Sequence, residues 1–596
     1  MKIQELSINN LRSIVDSGNV PIQSLFSLVG ENNSGKSNLI KSIDAFISGG
    51  AGGLKKEDFF DASSPIIIKI SFDNLNDDES KRWKKYLANG KLILEKHIWI
   101  EEAETASGMR IKSEYHGYEA APKEWFLSIA QILEQHGQRP KWVDIAKETG
   151  LPDYFYPEDK SGKTIYTKAL ERYLLETDIE FNEPDLSGTH ALGLQSNVVA
   201  SLPSFYLLPA ITDYSDEIDK RQSSSTFRRL MGELSERILK NDPRFIEIEE
   251  SLANVHRLLN AIDQPEGQNR LEALGDIEQQ ITGLLKQLMP SVSNVSLAIS
   301  VTEVQEIFSG GVSLSVNDGI ETDVLSKGHG LQRCIVFSLL KTLIDIERES
   351  GEENQNTIIL AIEEPELYIH PQLSKLFYDV MVEFSGSDQV LYTTHSPIFV
   401  DAYNYQNIGL VSKPSVEIGT KIKTATGGEI EKLSDAKVFK GLARFNPSVN
   451  EIFFANRILI VEGPEDLIAV NSVLQSKGLI RNRVEELSWS ILVAGGKDAI
   501  PFFQRVANEF GMSYTVLHDL DLLESMTQND IDTHTKTNNS ITELASGNPV
   551  ITFPVKLEAS LGIDHHLKDQ YKAHHFFSEP KNISEEVNNI ILEIFQ

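Results

Sequence analysis

The sequence predicts a multidomain α/β protein: a split α/β unit carrying a helical insertion, then a second α/β unit at the C-terminus. Three observations carry this. GENNSGKS at 30–37 is a Gly-rich loop between an apolar strand and a helix-like segment. TIILAIEEPE at 357–366 is an apolar run that closes on two acids. RILIVEGPEDL at 457–467 and YTVLHDLDLL at 514–523 repeat that strand-then-acid pattern near the end.

The chain has 596 residues, room for two to four domains. It is 40% hydrophobic and 24% charged, ordinary for a globular protein. No apolar run approaches the roughly 18 residues of a membrane span, so no membrane partner is expected. The opening MKIQELSINNLRSIV alternates like a strand and lacks a signal-peptide core. Cys334 is the single cysteine, so intrachain disulfides are excluded, and both features point to the cytoplasm. The net charge of −31 excludes a broad basic coat for nucleic acid or anionic lipid. It leaves local contact open, because divalent ions reverse the sign of a carboxylate site. Lys81, Arg82, Lys84 and Lys85 are one such basic stretch, which equally fits a solvated helix face.

In chain order, residues 1–75 read strand, turn, strand, Gly-rich loop, helix and the strand PIIIKISFD. Residues 76–210 read as an inserted α/β part, with strand-like KLILEKHIWI and MRIKSEYHGY, helix-like KEWFLSIAQILEQH and a buried strand in PSFYLLPA. Residues 211–294 have apolar positions recurring at three and four and read as helices. They fit a projecting dimerisation hairpin or a subdomain packed on its own chain. Residues 295–405 return to strands and helices. Residues 406–450, rich in Lys, Thr and Gly, read as a linker with some strand, and 451–596 as the second α/β unit.

GENNSGKS fits G-x-x-x-x-G-K-[ST] in the required strand–loop–helix context. Gly30 and Gly35 let backbone N–H groups face phosphate, with Asn32, Asn33 and Asn38 in the same turn. Lys36 supplies charge to the outer phosphates of ATP, and Ser37 a hydroxyl for Mg²⁺. The acid strand then supplies Glu363 for the metal and Glu364 to polarise the attacking water.

DVLSKGHGLQR at 323–333 resembles the signature loop of ABC-type ATPases, with Ser326 and Gly328 in place. QVLYTTHSP resembles their switch segment, with His395 after a strand. The resemblance implies that the signature reaches a partner's γ-phosphate across a dimer. IQELSINNLRSI, the long insertion and IEEPELYIHPQ look like the RecF/SMC branch, whose members associate with DNA. Position 363 is Glu where many relatives have Asp, and position 327 is Lys where transporters have Gly. Binding with slow turnover is therefore an open alternative.

In the C-terminal unit, Glu462 ends an apolar strand and Asp466 follows. Asp519 and Asp521 follow another strand, where alternate residues of an extended segment face one side. Strand ends of a parallel sheet converge, so these four carboxylates are expected together, without a matched basic partner. Such a set suits Mg²⁺ or Mn²⁺, and two ions 3.5–4 Å apart hydrolyse phosphodiesters. His565–His566 and His574–His575 lack the spacing of a zinc site.

E-G-x-x-[DE] and D-x-D after strands resemble the Toprim domain. Joined to an ABC-type ATPase, the chain resembles the OLD (overcoming lysogenisation defect) family of nucleases, an architecture shared with the Gabija nuclease subunit and some retron effectors. The resemblance implies a metal-dependent DNA endonuclease or nickase gated by its ATPase, acting in antiphage defence. It implies two metal ions at the Toprim acids and one with ATP. It further implies a homodimer or tetramer, with a helicase or a retron reverse transcriptase and its nucleic acid as companion. It also implies a further acid and a lysine: Glu558 for the second metal, and Lys572, with Lys568 as rival, for the transition-state phosphate. A DNA clamp without nuclease activity and an RNA-directed nuclease, such as a tRNA cutter, are the alternatives.

Overall fold

The computed structural model describes the chain except residues 52, 84–85, 89, 103–108, 120–121, 178, 180–181, 183–184, 187–197, 200, 211–242, 261–270, 289–292, 295, 298–313, 350–356, 426–446, 524–525, 568 and 596. It divides into two compact bodies, one of residues 1–208, 356–366 and 370–596, the other of 209–355 and 367–369.

Among the described residues, the first body holds three sheets. The first is antiparallel: Lys2–Leu11 pairs with Ile66–Asp73, which pairs with Lys91–Glu102, which pairs with Met109–Glu119. Alternation in these strands buries Ile66, Ile68, Ile70, Leu92 and Leu94 on one face. A helical module follows, including Trp142–Glu148 and Lys163–Glu176, with its own core around Phe155 and Tyr166. The helix expected in KEWFLSIAQILEQH is present as a short turn, Trp125–Leu127, and the helix Ile129–His136, started by the Ser128 side chain.

The second sheet carries the nucleotide motifs. Its order is Ser204–Leu208, Ile358–Glu363, Gln389–Thr394, Leu25–Gly30, Ile408–Ser412, Lys421–Thr424. All pairs are parallel except the last. The three central strands are buried at every position. This is the pattern of a sheet covered on both faces, and it explains their unbroken apolar runs. Residues 408–424, read from composition as part of a linker, supply two strands of this sheet. Val411 pairs beside Gly30, so this segment closes over the phosphate loop.

The third sheet is wholly parallel, in the order Trp489–Val493, Arg457–Val461, Tyr514–Asp519, Val550–Phe553. The helices Pro464–Ser476 and Ile500–Phe510 follow the first two of its strands in sequence. One core joins it to the nucleotide sheet: Val29, Val400 and Ile408 cluster with Phe453, Ile458 and Phe510.

The second body contains the helices Pro243–Asn260 and Glu272–Leu288, as the periodicity predicts. It also holds a small hairpin, Ser315–Asn317 with Glu321–Asp323, and the long helix His329–Glu349. The helix expected within 227–240 lies outside the described residues, as do Lys84 and Lys85 of the basic stretch.

Candidate functional site

The phosphate loop connects a buried strand to the helix Lys36–Ile47. A Cβ on Gly30 would stand 2.0 Å from the Val411 carbonyl oxygen, and one on Gly35 2.3 Å from Thr420 Oγ1. The loop is thus pressed against the 408–424 hairpin, by backbone at Gly30 and by side chains at Gly35. Lys36 folds back and donates to the carbonyls of Gly30 (3.0 Å) and Glu31 (2.8 Å). Burial lowers its pKa, opposed by the nearby charges of Glu364, Glu366 and Glu31. Asn32 and Asn33 are exposed, Ser37 is half-buried, and Asn38 turns to Ser13, donating at 2.8 Å.

Parallel register brings the acid and switch strands to the same edge, with Glu363 beside Thr393 and Thr394 beside Val29. Glu363 is buried. Glu364 sits at φ 46°, its N–H donating to the Thr393 carbonyl at 2.9 Å. That conformation presents its carboxylate 3.9 Å from His395 Nε2. Burial lowers the His395 pKa, reinforced by Lys36 and opposed by Glu364. Sequence reasoning passed over Glu366, which accepts from the His395 N–H (2.6 Å) and the Thr394 hydroxyl (3.0 Å) and so anchors the switch loop. Its place three residues after Glu363 was the available signal. A cavity of about 380 Å³ opens beside the loop, lined by Gly30, Glu31, His395, Glu451, Phe454 and Ser490. Residues of the C-terminal unit therefore wall the same cavity as the phosphate loop.

In the second body, Ser326 ends a short turn, and Gly328 precedes the long helix; both are exposed. Lys327 bonds Asp318 at 2.5 Å and the Ile320 carbonyl at 3.2 Å, which fastens this loop to the hairpin.

At the C-terminal sheet, strand ends gather the acids. The Glu462 carboxylate accepts from the Asp519 N–H at 2.8 Å, across 57 residues of chain. Asp466 accepts from the Gly463 N–H at 2.9 Å and is buried in the first turn of its helix. Asp519 accepts from the Leu557 N–H (3.1 Å), which draws in the next residue, Glu558. Glu558 is buried, accepts from the Leu567 N–H at 3.0 Å, and lies 3.5 Å from His566 Nδ1. Burial, then the carboxylates of Asp466, Glu462, Asp521 and Glu558, pushes the Asp519 pKa up to about 9. Burial raises Glu462 to about 7 and Asp466 well above the carboxylate range. Crowded acids that resist ionising are a donor set that fits a divalent cation, and all-oxygen ligands suit Mg²⁺ or Mn²⁺. Among the described residues, no three such groups already stand close enough to hold an ion.

Two expectations change here. The strand ends at Asp519, and Asp521 lies beyond it at φ 53°, so a turn rather than strand alternation places it. The acids also have a basic partner: buried Lys497 donates to Asp521 Oδ2 and to the Leu520 carbonyl, each at 3.1 Å. A lysine straight after Gly-Gly, between two acid-bearing strands, was the signal in the sequence. Lys572 is exposed and makes no hydrogen bond or ion pair among the described residues, and Lys568 lies outside them. His574 and His575 are exposed on the helix Gln570–Phe577.

The comparisons agree with both halves. The AAA ATPase domain family matches residues 1–400. The TOPRIM domain of overcoming lysogenization defect protein-like proteins matches residues 453–521. The Old nuclease of Escherichia phage P2 is 23% identical over 535 residues, covering 88% of this chain and 78% of that protein. Endonuclease GajA of Bacillus cereus (strain VD045) is 22% identical over 424 residues, 69% of this chain and 66% of its own. Among solved structures, the Smc head domain of Pyrococcus furiosus, with an extended coiled coil and bound to the C-terminal domain of ScpA, covers 74% of this chain and 98% of that chain at 13% identity and TM-score 0.34.

Proposed function

The chain belongs to the AAA ATPase domain family and carries an OLD-like TOPRIM domain behind it, and on that premise we propose that it is an ATP-binding, metal-dependent DNA endonuclease or nickase whose ATPase gates the cut. The observation that carries this is the gathering of Glu462, Asp466, Asp519 and Glu558 at the ends of parallel strands, each with one oxygen committed to a backbone N–H. The remaining oxygens are the donors for Mg²⁺ or Mn²⁺, two ions being the set that a two-metal phosphodiester hydrolysis uses. Metal bound there would supply an activated water and charge for the leaving oxygen. The chain's own part is to hold the carboxylates in place and to bury Asp466 and Glu558 away from bulk water.

In the ATPase, the phosphate loop and Lys36 cradle the triphosphate, Ser37 and Glu363 hold its magnesium, and Glu364 orients water, with His395 at its side. Ser326 and Gly328 of a second copy complete the site, which makes the active species a homodimer or tetramer. The shared cavity wall at Ser490 supports communication between nucleotide and TOPRIM domain. The setting proposed is antiphage defence, with a helicase or a retron reverse transcriptase and its nucleic acid as companion, as the resemblance to the OLD family implies; the Old nuclease and GajA likenesses support the nuclease activity itself.

The test is plasmid cleavage by the purified chain with Mg²⁺ or Mn²⁺, with and without ATP, beside Asp519→Ala and a matched RNA substrate. Metal-dependent DNA cutting that Asp519→Ala reduces by about a hundredfold or more is expected. Equal cutting by Asp519→Ala would sink the site assignment. Cutting of RNA alone would replace the substrate, and DNA binding without cutting would favour the clamp.

A further inference from the structure

Lys497 is the buried cation of the TOPRIM domain that the catalytic reading leaves without a task. It leaves the turn Gly495–Gly496, whose two N–H groups both donate to the Glu462 carbonyl at 3.0 Å. Its ammonium crosses to the other acid strand, where it meets the Leu520 carbonyl and Asp521 Oδ2. The Leu520 carbonyl also accepts from Asn538 Nδ2 at 3.0 Å, and the Asp521 N–H donates to the Val555 carbonyl at 2.7 Å. This frame holds Asp521 in its left-handed conformation with one carboxylate oxygen committed to an ammonium. The four other acids each spend an oxygen on a backbone N–H, and His566 stands by Glu558; among the described residues Asp521 is the one of the five held by a lysine ammonium, with His534 Nδ1 3.9 Å from the same oxygen.

We propose that Lys497 is a positioning residue that competes with divalent metal for Asp521 and so sets how much metal the TOPRIM site needs. The proposal rests on the metal-site reading above. An ion that recruits Asp521 must displace or share the ammonium, and an ammonium left buried without its carboxylate is costly. That cost is subtracted from metal affinity. DNA is the natural trigger, because a scissile phosphate offers the released ammonium a new anionic partner.

The experiment measures Mn²⁺ binding to the full, nucleotide-free chain without DNA, by electron paramagnetic resonance of free Mn²⁺. Lys497→Met and Lys497→Gln remove the charge, and Lys497→Arg keeps it. Both neutral variants should bind Mn²⁺ about tenfold tighter than the wild type, with Lys497→Arg within about twofold of it. If Lys497→Met proves unfolded by circular dichroism, Lys497→Gln decides, since its amide still reaches toward the Leu520 carbonyl. Unchanged or weaker Mn²⁺ binding in a folded neutral variant overturns the competition. Asp519→Asn is the separate control: if it leaves Mn²⁺ binding intact, the metal-site reading has failed, whatever Lys497 does.

Discussion

Burial and neighbouring carboxylates make Asp519 resist ionising. Its pKa rises from 3.8 to about 9, chiefly by burial, so the fold prefers it protonated while the unfolded chain ionises it. The unfolded state therefore binds fewer protons above pH 4. This contribution to stability is full below about pH 4 and drains as pH climbs toward about 9. In metal-free protein, the thermal midpoint should fall between about pH 6 and pH 9, and Asp519→Asn should flatten the fall. Since metal needs the ionised carboxylate, the Mn²⁺-induced rise in midpoint should grow over the same window. A wild-type slope retained in Asp519→Asn would assign the effect elsewhere. Lys96 is a second residue with a local duty. Fully buried, it donates to the carbonyls of Ala45 and Ser48, each at 2.6 Å, and closes the C-terminus of the phosphate-loop helix. Lys96→Met should cost about 2 kcal/mol in urea denaturation, because it orphans buried carbonyls at the negative end of a helix dipole. An unchanged midpoint would mean that the carbonyls find other partners.

Among elements, the phosphate loop and the hairpin behind it form one unit. At Gly30 the obstacle to a side chain is the Val411 backbone, which cannot rotate away; at Gly35 it is the Thr420 and Ser13 side chains, which can. Gly30→Ala should therefore lose about 3 kcal/mol or more, and clearly more than Gly35→Ala, although the latter's φ of 108° adds strain. Chemical denaturation of the two variants checks the order, and equal losses would contradict the hairpin's role. The loop itself was legible because its requirement is local: two glycines, a lysine and a hydroxyl between strand and helix. The hairpin was not. Its Lys, Thr and Gly content looks like linker because Lys421–Thr424 is a half-exposed edge strand, where β patterning is weak.

For the first compact body as a whole, the joined core has a consequence. Val29, next to the phosphate loop, shares a cluster with Ile458 and Phe510 of the TOPRIM domain. The strands Leu25–Gly30 and Arg457–Val461 should therefore open together. Native-state hydrogen exchange should give their amides the same opening free energy, and ATP should protect both. Independent opening of the TOPRIM strands would show that the core does not couple them.

The sequence by itself determined which chemistries are present. A phosphate loop, an acid strand and acids after apolar strands declare themselves over a few residues, since backbone conformation and burial act at that range. Tertiary structure alone decided how the acids differ from one another. Asp519 meets Glu462 across 57 residues, and Lys497 meets Asp521 across 24. Burial and neighbouring charge set each group's proton affinity and its freedom to bind metal, and both depend on which strand lies beside which.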